Sequence, residues 1–169
     1  MIRLPSNNIM KQRNHPSNIQ IFYNRQFPLK DITDVFYPLF GSDTSYDDIV
    51  YMITTANHIF CSYDNIQRRC IACALVNNAG TKGGLYLVLF GVQQSSQHHG
   101  VGTQLLKTII QWARRRNYTF IYLHVNVNNY KAIGLYEKLG FHKHQYLPDY
   151  YRNSSKENPA AYRMILSLY

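Results

Sequence analysis

The stretch LYLVLFGVQQSSQHHGVGTQLLKTIIQW, Leu85 to Trp112, decides how the rest of the chain is read. Leu85 to Val92 is an unbroken apolar run closed by Gly91 and by Gln93, short enough for a buried strand. Val101, Leu105, Ile109 and Trp112 then recur at helical spacing, with Lys107 and Arg114–Arg116 on the other faces. A strand that turns through Gln97-His98-His99-Gly100-Val101-Gly102-Thr103 into a helix puts unpaired N–H groups, and the positive end of the helix dipole, beside two glycines. Such a turn can take a phosphate against its backbone, although a tight strand-to-helix turn needs the same residues. It is neither a GxxxxGK[ST] loop nor a GxGxxG turn followed by an acidic residue.

Downstream, Phe120–Val127 reads as a second buried strand. A helix follows through Ala132, Ile133, Tyr136 and Leu139, closed by Gly140. Phe141–Tyr146 and Tyr162–Leu168 are the last strands. Upstream, His58–Tyr63 and Cys70–Val76 are strand-like and joined by a polar turn. Asp47–Ala56 is a helix capped by Ser45 or Thr44, and a helix from Leu29 is ended by Pro38, Gly41 and Ser42. Ile19–Tyr23 is a short strand. Residues 1–18 are polar and read as a flexible arm, leaving 19–169 as a single α/β domain.

The 169 residues suffice for one domain, and 46% hydrophobic with 14% aromatic content suffices for a core. A disordered chain is excluded. No stretch is apolar and long enough to span a membrane, and Met1–Met10 lacks the core of a secretory signal, so a cytoplasmic location is expected. The net charge of +9 is concentrated after residue 64, whereas 19–64 is acidic. A basic half suits a polyanionic ligand. Cys61, Cys70 and Cys73 invite a zinc reading, but residues 70 and 73 of a regular strand point to opposite faces, and no second ligand pair exists. Three buried thiols and no metal are expected.

Gln97-x-x-Gly100-x-Gly102 opening a helix resembles the acetyl-CoA pyrophosphate motif of the GNAT acyltransferase superfamily. Asn129-x-x-Ala132-x-x-x-Tyr136-x-x-x-Gly140-Phe141 resembles its second signature. Tyr86 in LYLVLFGV, His124 in YLHVNVNN and the segment HQYLPDYY (His144–Tyr151) are similar to the NatF-type N-alpha-acetyltransferases, and more loosely to NatE-type enzymes. The resemblance implies a GNAT fold, a mixed and largely antiparallel sheet of about seven strands flanked by helices. Its central strands would splay around Tyr86 and His124 to admit acetyl-CoA as co-substrate.

The same resemblance places the cofactor site at Phe90, Gly91, Val92, His98, His99, Gly100, Val101, Gly102, Thr103, Asn129 and Tyr136. It implies Tyr86 and His124 as catalytic bases, and Tyr150 and Tyr151 as the pair that grips a peptide. Tyr37, Leu39, Tyr46 and Val88 are the candidate walls for the first residue. Three departures stand out. His98-His99 stands where the superfamily often has a Lys or Arg, Asp149 replaces a third tyrosine, and Tyr46 follows Tyr37-Pro38 later than in the family. The chain ends at Tyr169 without the membrane-binding tail of NatF proteins, so Golgi attachment is not expected.

The implied activity is acetyl transfer to the alpha-amine of a protein or peptide N-terminus, with a hydrophobic first residue such as Met. A monomer is expected, with no specific nucleic-acid binding. Tyr136 would hydrogen-bond the departing thiolate, and backbone N–H groups near Val92 would polarise the thioester carbonyl. Lysine or small-amine acetylation on the same scaffold is the alternative enzyme reading. A basic, non-catalytic binding module is the alternative of another class.

Overall fold

The computed structural model describes residues 8–10, 18–24, 27–80, 83–152 and 157–169. Thirteen elements include strands β1 (Asn8–Met10), β2 (Ile19–Tyr23), β3 (His58–Asp64), β4 (Arg69–Asn78), β5 (Gly84–Val92), β6 (Phe120–Asn126), β7 (His142–Leu147) and β8 (Ala161–Ser167). The helices are α1 (Leu29–Phe40), α2 (Tyr46–Thr55), α3 (Val101–Arg115) and α4 (Tyr130–Lys138), with a single 3-10 turn at Gln94–Ser96. The strands form one sheet in the order β1-β2-β3-β4-β5-β6-β8-β7. Among the described strands, β5 and β6 alone run parallel to each other. Seven strands of five residues or more make up the sheet, and β1 is a three-residue addition to its edge. That addition falls within the stretch read as an arm: Asn8–Met10 pair antiparallel with β2. Residues 1–7 and 11–17 lie outside the described residues.

Each helix forms where its sequence gives it a start and an apolar face. The side chain of Ser45 accepts from Asp48 N–H and caps α2. In α1 the buried residues Ile32, Val35 and Phe36 follow the three-four spacing of one face. Pro38 does not end α1, which runs on to Phe40 before Gly41 caps it. In α3, Val101, Leu105, Ile109 and Trp112 are buried and Lys107 is exposed, as the spacing requires.

The helices cover both faces of the sheet and divide the core in two. On one side, α3 and α4 pack with Leu85, Leu87, Ile121 and Leu123. On the other, α1 and α2 pack with Cys61, Cys70, Cys73 and Leu75. Strand β4 is buried from Cys70 to Val76, as a strand covered on both faces must be. Strand β7 closes the far edge, with His142 to Tyr146 all exposed.

Two irregularities reset which way side chains point. Between β4 and β5, Leu75 pairs with Leu89 but Val76 with Leu87, so Val88 is an extra residue. Between β3 and β4, Ser62 pairs with Ala72 but Tyr63 with Cys70, so Ile71 is extra. Ile71 and Ala72 consequently both face the α3 side, and Cys70 and Cys73 share the α1 side. The expectation that these cysteines point to opposite faces is therefore wrong, because it assumed a strand without a bulge. None of the three forms a disulfide.

Phe36 is fully buried at the centre of the α1–sheet contact. Phe36→Ala is expected to lower unfolding stability by about 3–5 kcal/mol. Urea denaturation checks this: the midpoint should fall while the slope stays unchanged.

Candidate active site

The parallel pairing of β5 and β6 lasts for three residues, Gly84 with Phe120, Leu85 with Ile121 and Tyr86 with Tyr122. Beyond them β5 stays with β4, and β6 stays with β8. The centre of the sheet therefore opens just after Tyr86. Tyr86, Tyr122 and His124 line this opening on one face, since Tyr122 and His124 are two residues apart on one strand. The rings of Tyr86 and Tyr122 stack at 4.7 Å, and the His124 ring stands edge-on to both.

Tyr150 comes in from the loop after β7. Its hydroxyl lies 3.0 Å from His124 Nδ1 and 3.3 Å from the Tyr86 hydroxyl, and Tyr86 Oη is 3.4 Å from the same nitrogen. Two hydroxyls and one imidazole nitrogen thus meet at a single point. The loop is held by Tyr151 N–H donating to the Pro159 carbonyl at 2.8 Å, and by Asn126 Nδ2 donating to the Asn158 carbonyl at 2.7 Å. The ring of Tyr151 stands edge-on to Tyr150.

Burial sets the protonation states. Desolvation, joined by the charge of Arg163, pushes His124 down to about 4, so its imidazole is neutral near pH 7. Desolvation and the Tyr150 hydroxyl raise Tyr86 well above the ordinary phenol range. Tyr86 therefore keeps its proton and acts as a hydrogen-bond donor or relay, not as a phenolate base. Burial also raises Tyr136, and pushes Tyr151 up to about 12.

A second assembly joins the end of β5 to the start of α3. The side chain of Gln97 donates to the Val92 carbonyl at 3.1 Å, tying the turn to the strand. His98 and Gly100 both have left-handed backbone, with φ of 64° and 78°. Alternation of this kind turns successive N–H groups inward, toward an anion. The first intrahelical bond runs from Gln104 N–H to the Gly100 carbonyl, so the N–H groups of Val101, Gly102 and Thr103 precede the helical ladder. A Cβ on Gly100 would meet nothing within 4 Å, so the space over the turn is open. At Gly102 a Cβ would sit 3.1 Å from Val92 and 3.2 Å from Phe90, so this glycine lets α3 approach β5. Residues and backbone here fit a phosphate-bearing ligand.

The other predicted residues fall as follows. His98 and His99 are exposed at the turn. The side chain of Val101 is in the core, which leaves only its N–H for a ligand. Gly91 faces α1, where a Cβ would lie 2.8 Å from Leu39. Asn129 caps α4 by accepting from Ala132 N–H. Tyr136 is buried beside Phe90, ring centroids 6.4 Å apart. Leu39 and Val88 lie on the α1 side of β5. Tyr37 and Tyr46 pack on each other and line a different cavity, with Asp31, Asp34, Cys70 and Gln93. Among the described residues, neither tyrosine makes a ring contact or hydrogen bond with Tyr86 or His124.

Sequence reading missed Tyr122 and Arg163. Arg163 is paired opposite His124 on β8, with its guanidinium 4.5 Å from the Tyr122 ring centre. Its Nε is buried without a hydrogen-bond partner among the described residues. Only strand register reveals this neighbour.

The family model for the acetyltransferase (GNAT) family matches residues 25–141, and the chain belongs to that family. It is 29% identical over 114 residues to the probable N-acetyltransferase san of Drosophila melanogaster, covering 67% of this chain and 60% of the fly protein. It is 28% identical over 126 residues to N-alpha-acetyltransferase 50 of Danio rerio, covering 73% of each. Arabidopsis thaliana Naa50, solved with the bisubstrate analogue CoA-Ac-MVNAL, superposes with a TM-score of 0.74 at 23% identity, over 89% of this chain and 99% of that one.

Nuclear magnetic resonance should find His124 titrating well below 6.5, and Arg163→Gln should move its midpoint upward. A lowered His pKa also makes the fold acid-sensitive. Below about 6.5 the unfolded chain takes up a proton that the native chain refuses down to about 4. Stability should therefore fall as pH drops through that window, less steeply in His124→Gln.

Proposed function

We propose that this GNAT acetyltransferase transfers the acetyl group of acetyl-CoA to the N-terminal alpha-amine of a protein or peptide. The observation that carries the reading is the meeting of Tyr86, His124 and Tyr150 within 3.4 Å of one another where β5 and β6 part. Acetyl-CoA supplies the thioester that the amine attacks. The N–H groups at the start of α3 and the left-handed turn at His98–Gly100 hold its phosphates.

An alpha-amine has a pKa near 8, so roughly a tenth of it is neutral at pH 7, far more than of a lysine near 10.4. Its nitrogen becomes much more acidic once bonded to the acyl carbon. A neutral imidazole of low basicity, such as His124, can then accept the proton, with Tyr86 relaying it through its retained O–H. Tyr136 keeps its proton too, and can donate to the departing sulfur. Tyr150 and Tyr151 close over the peptide. Leu39 and Val88 supply apolar walls for a hydrophobic first residue, worth about 1.5–3 kcal/mol of burial.

Peptides varied at the first two residues, with and without a blocked N-terminus, test the substrate. Free Met-starting peptides should be acetylated, and blocked ones spared even when they contain lysine. Equal rates on blocked, lysine-containing peptides would replace this reading with lysine acetylation. His124→Ala and Tyr86→Phe should each lower kcat by about 10²–10⁴ with CoA affinity unchanged.

Gly100→Glu should abolish CoA binding in calorimetry, because it sets a carboxylate over the open turn and forces a side chain onto a φ of 78°. Wild-type affinity in that variant would remove the cofactor assignment.

A further inference from the structure

Beneath α1, on the face of the sheet away from α3, three sulfur atoms converge. The Sγ atoms of Cys61, Cys70 and Cys73 all lie within 4.8 Å of one another. Cys61 and Cys73 face each other directly across the β3–β4 ladder, with their sulfurs 2.9 Å apart. Cys70 joins them only because Ile71 bulges out of β4. None of the three is more than 1% exposed. We propose that this trio is a metal site, separate from the acetyl-transfer centre, that takes one soft thiophilic cation, Cu(I), in three-sulfur coordination.

Ligand chemistry and geometry support the choice. Thiolates select Cu(I) and Zn(II) over hard cations. Zn(II) in structural sites is almost always four-coordinate, and this group offers three donors, all sulfur, among the described residues. A cation about 2.3 Å from each of three sulfurs in a plane requires them about 4.0 Å apart. Cys61 and Cys73 stand closer than that, at 2.9 Å, so their sulfurs must part by about 1 Å on binding, a side-chain adjustment within one rotamer well.

There is also a way in. A cavity of about 340 Å³ at the end of the sheet has Cys70 in its wall, with Asp31 and Asp34 beside it. Asp34 is paired with Lys30 and Arg69 lines the same cavity, so Asp31 is the carboxylate that favours a cation there, and its negative charge also bears on Cys61. Binding forms three metal–sulfur bonds and releases the thiol protons to solvent, with no electron transferred. Burial holds the Cys61 and Cys73 thiols protonated when no cation is present, so proton release is a direct signature of binding.

The test uses the full chain, reduced with a phosphine, stripped with a chelator and kept free of oxygen. Cu(I), buffered by a chromogenic competitor, is titrated in while native mass spectrometry counts ions. One ion per chain, a near-ultraviolet thiolate-to-metal band, three protons released per ion and a raised Tm are expected. Cys61→Ser, Cys70→Ala and Cys73→Ser should each weaken binding by more than about tenfold. Cys70→Ala, a small-for-small change, keeps the test valid if the other two variants fail to fold, as judged by circular dichroism. No one-to-one complex, or one that persists unchanged in folded Cys70→Ala, would overturn the site. Zn(II) or Co(II) bound one per chain where Cu(I) is not would overturn the monovalent assignment.

Discussion

Everything that makes this domain chemically useful depends on three residue pairs. The β5–β6 ladder holds from Gly84 to Tyr86 and then stops. Were it continued, the backbone groups past Tyr86 and Tyr122 would be consumed by each other and the centre of the sheet would be closed. Because it stops, polar side chains can occupy the middle of a sheet whose neighbouring positions are apolar. The opening is possible only because both strands remain paired on their outer sides, β5 with β4 except at the Val88 bulge and β6 with β8. The sheet is thus two antiparallel halves joined at one end and held together across the gap by α3 and α4 on one face.

The same economy of pairing explains the bulges. Val88 interrupts the β4–β5 ladder in the strand that borders the opening, and it keeps the α1 side of β5 supplied with apolar surface. Ile71 does the equivalent between β3 and β4, and by doing so concentrates three thiols on one side of the sheet. Protonated thiols pack there as small apolar groups. A polar atom of any other kind so deep in the α1 side would need a hydrogen-bond partner.

Much of this was legible in the sequence. The short unbroken apolar run Leu85–Val92 reads as a buried strand by its length, and the spacing of Val101, Leu105, Ile109 and Trp112 reads as a helix packed by one face. The turn into α3 was legible from its glycines, and the structure adds the left-handed His98, which no propensity would have suggested. What stayed hidden was everything set by register between distant strands. Arg163 faces His124 across β8, and nothing local in either segment encodes that pairing. The shared face of Cys70 and Cys73 was misread for the same reason: a bulge is a property of a pair of strands. The placing of Tyr37 and Tyr46 at the peptide pocket came from a family resemblance, and what the structure adds is that their rings meet edge to face beside the end of α1.

Strand β7, at the far edge, has a different importance. A sheet weakened at its centre is a poor candidate for surviving strand exchange at its rim, where another chain could add itself to an unpaired backbone. Here that rim is built to refuse company. Lys143, Gln145 and two histidines stand along it, all exposed beside the large apolar side chain of Tyr146, and the register slips at His144, so an incoming strand would find a mostly polar face and a broken row of partners. A sheet that parts at its centre thus has, at this border, little to offer an added strand.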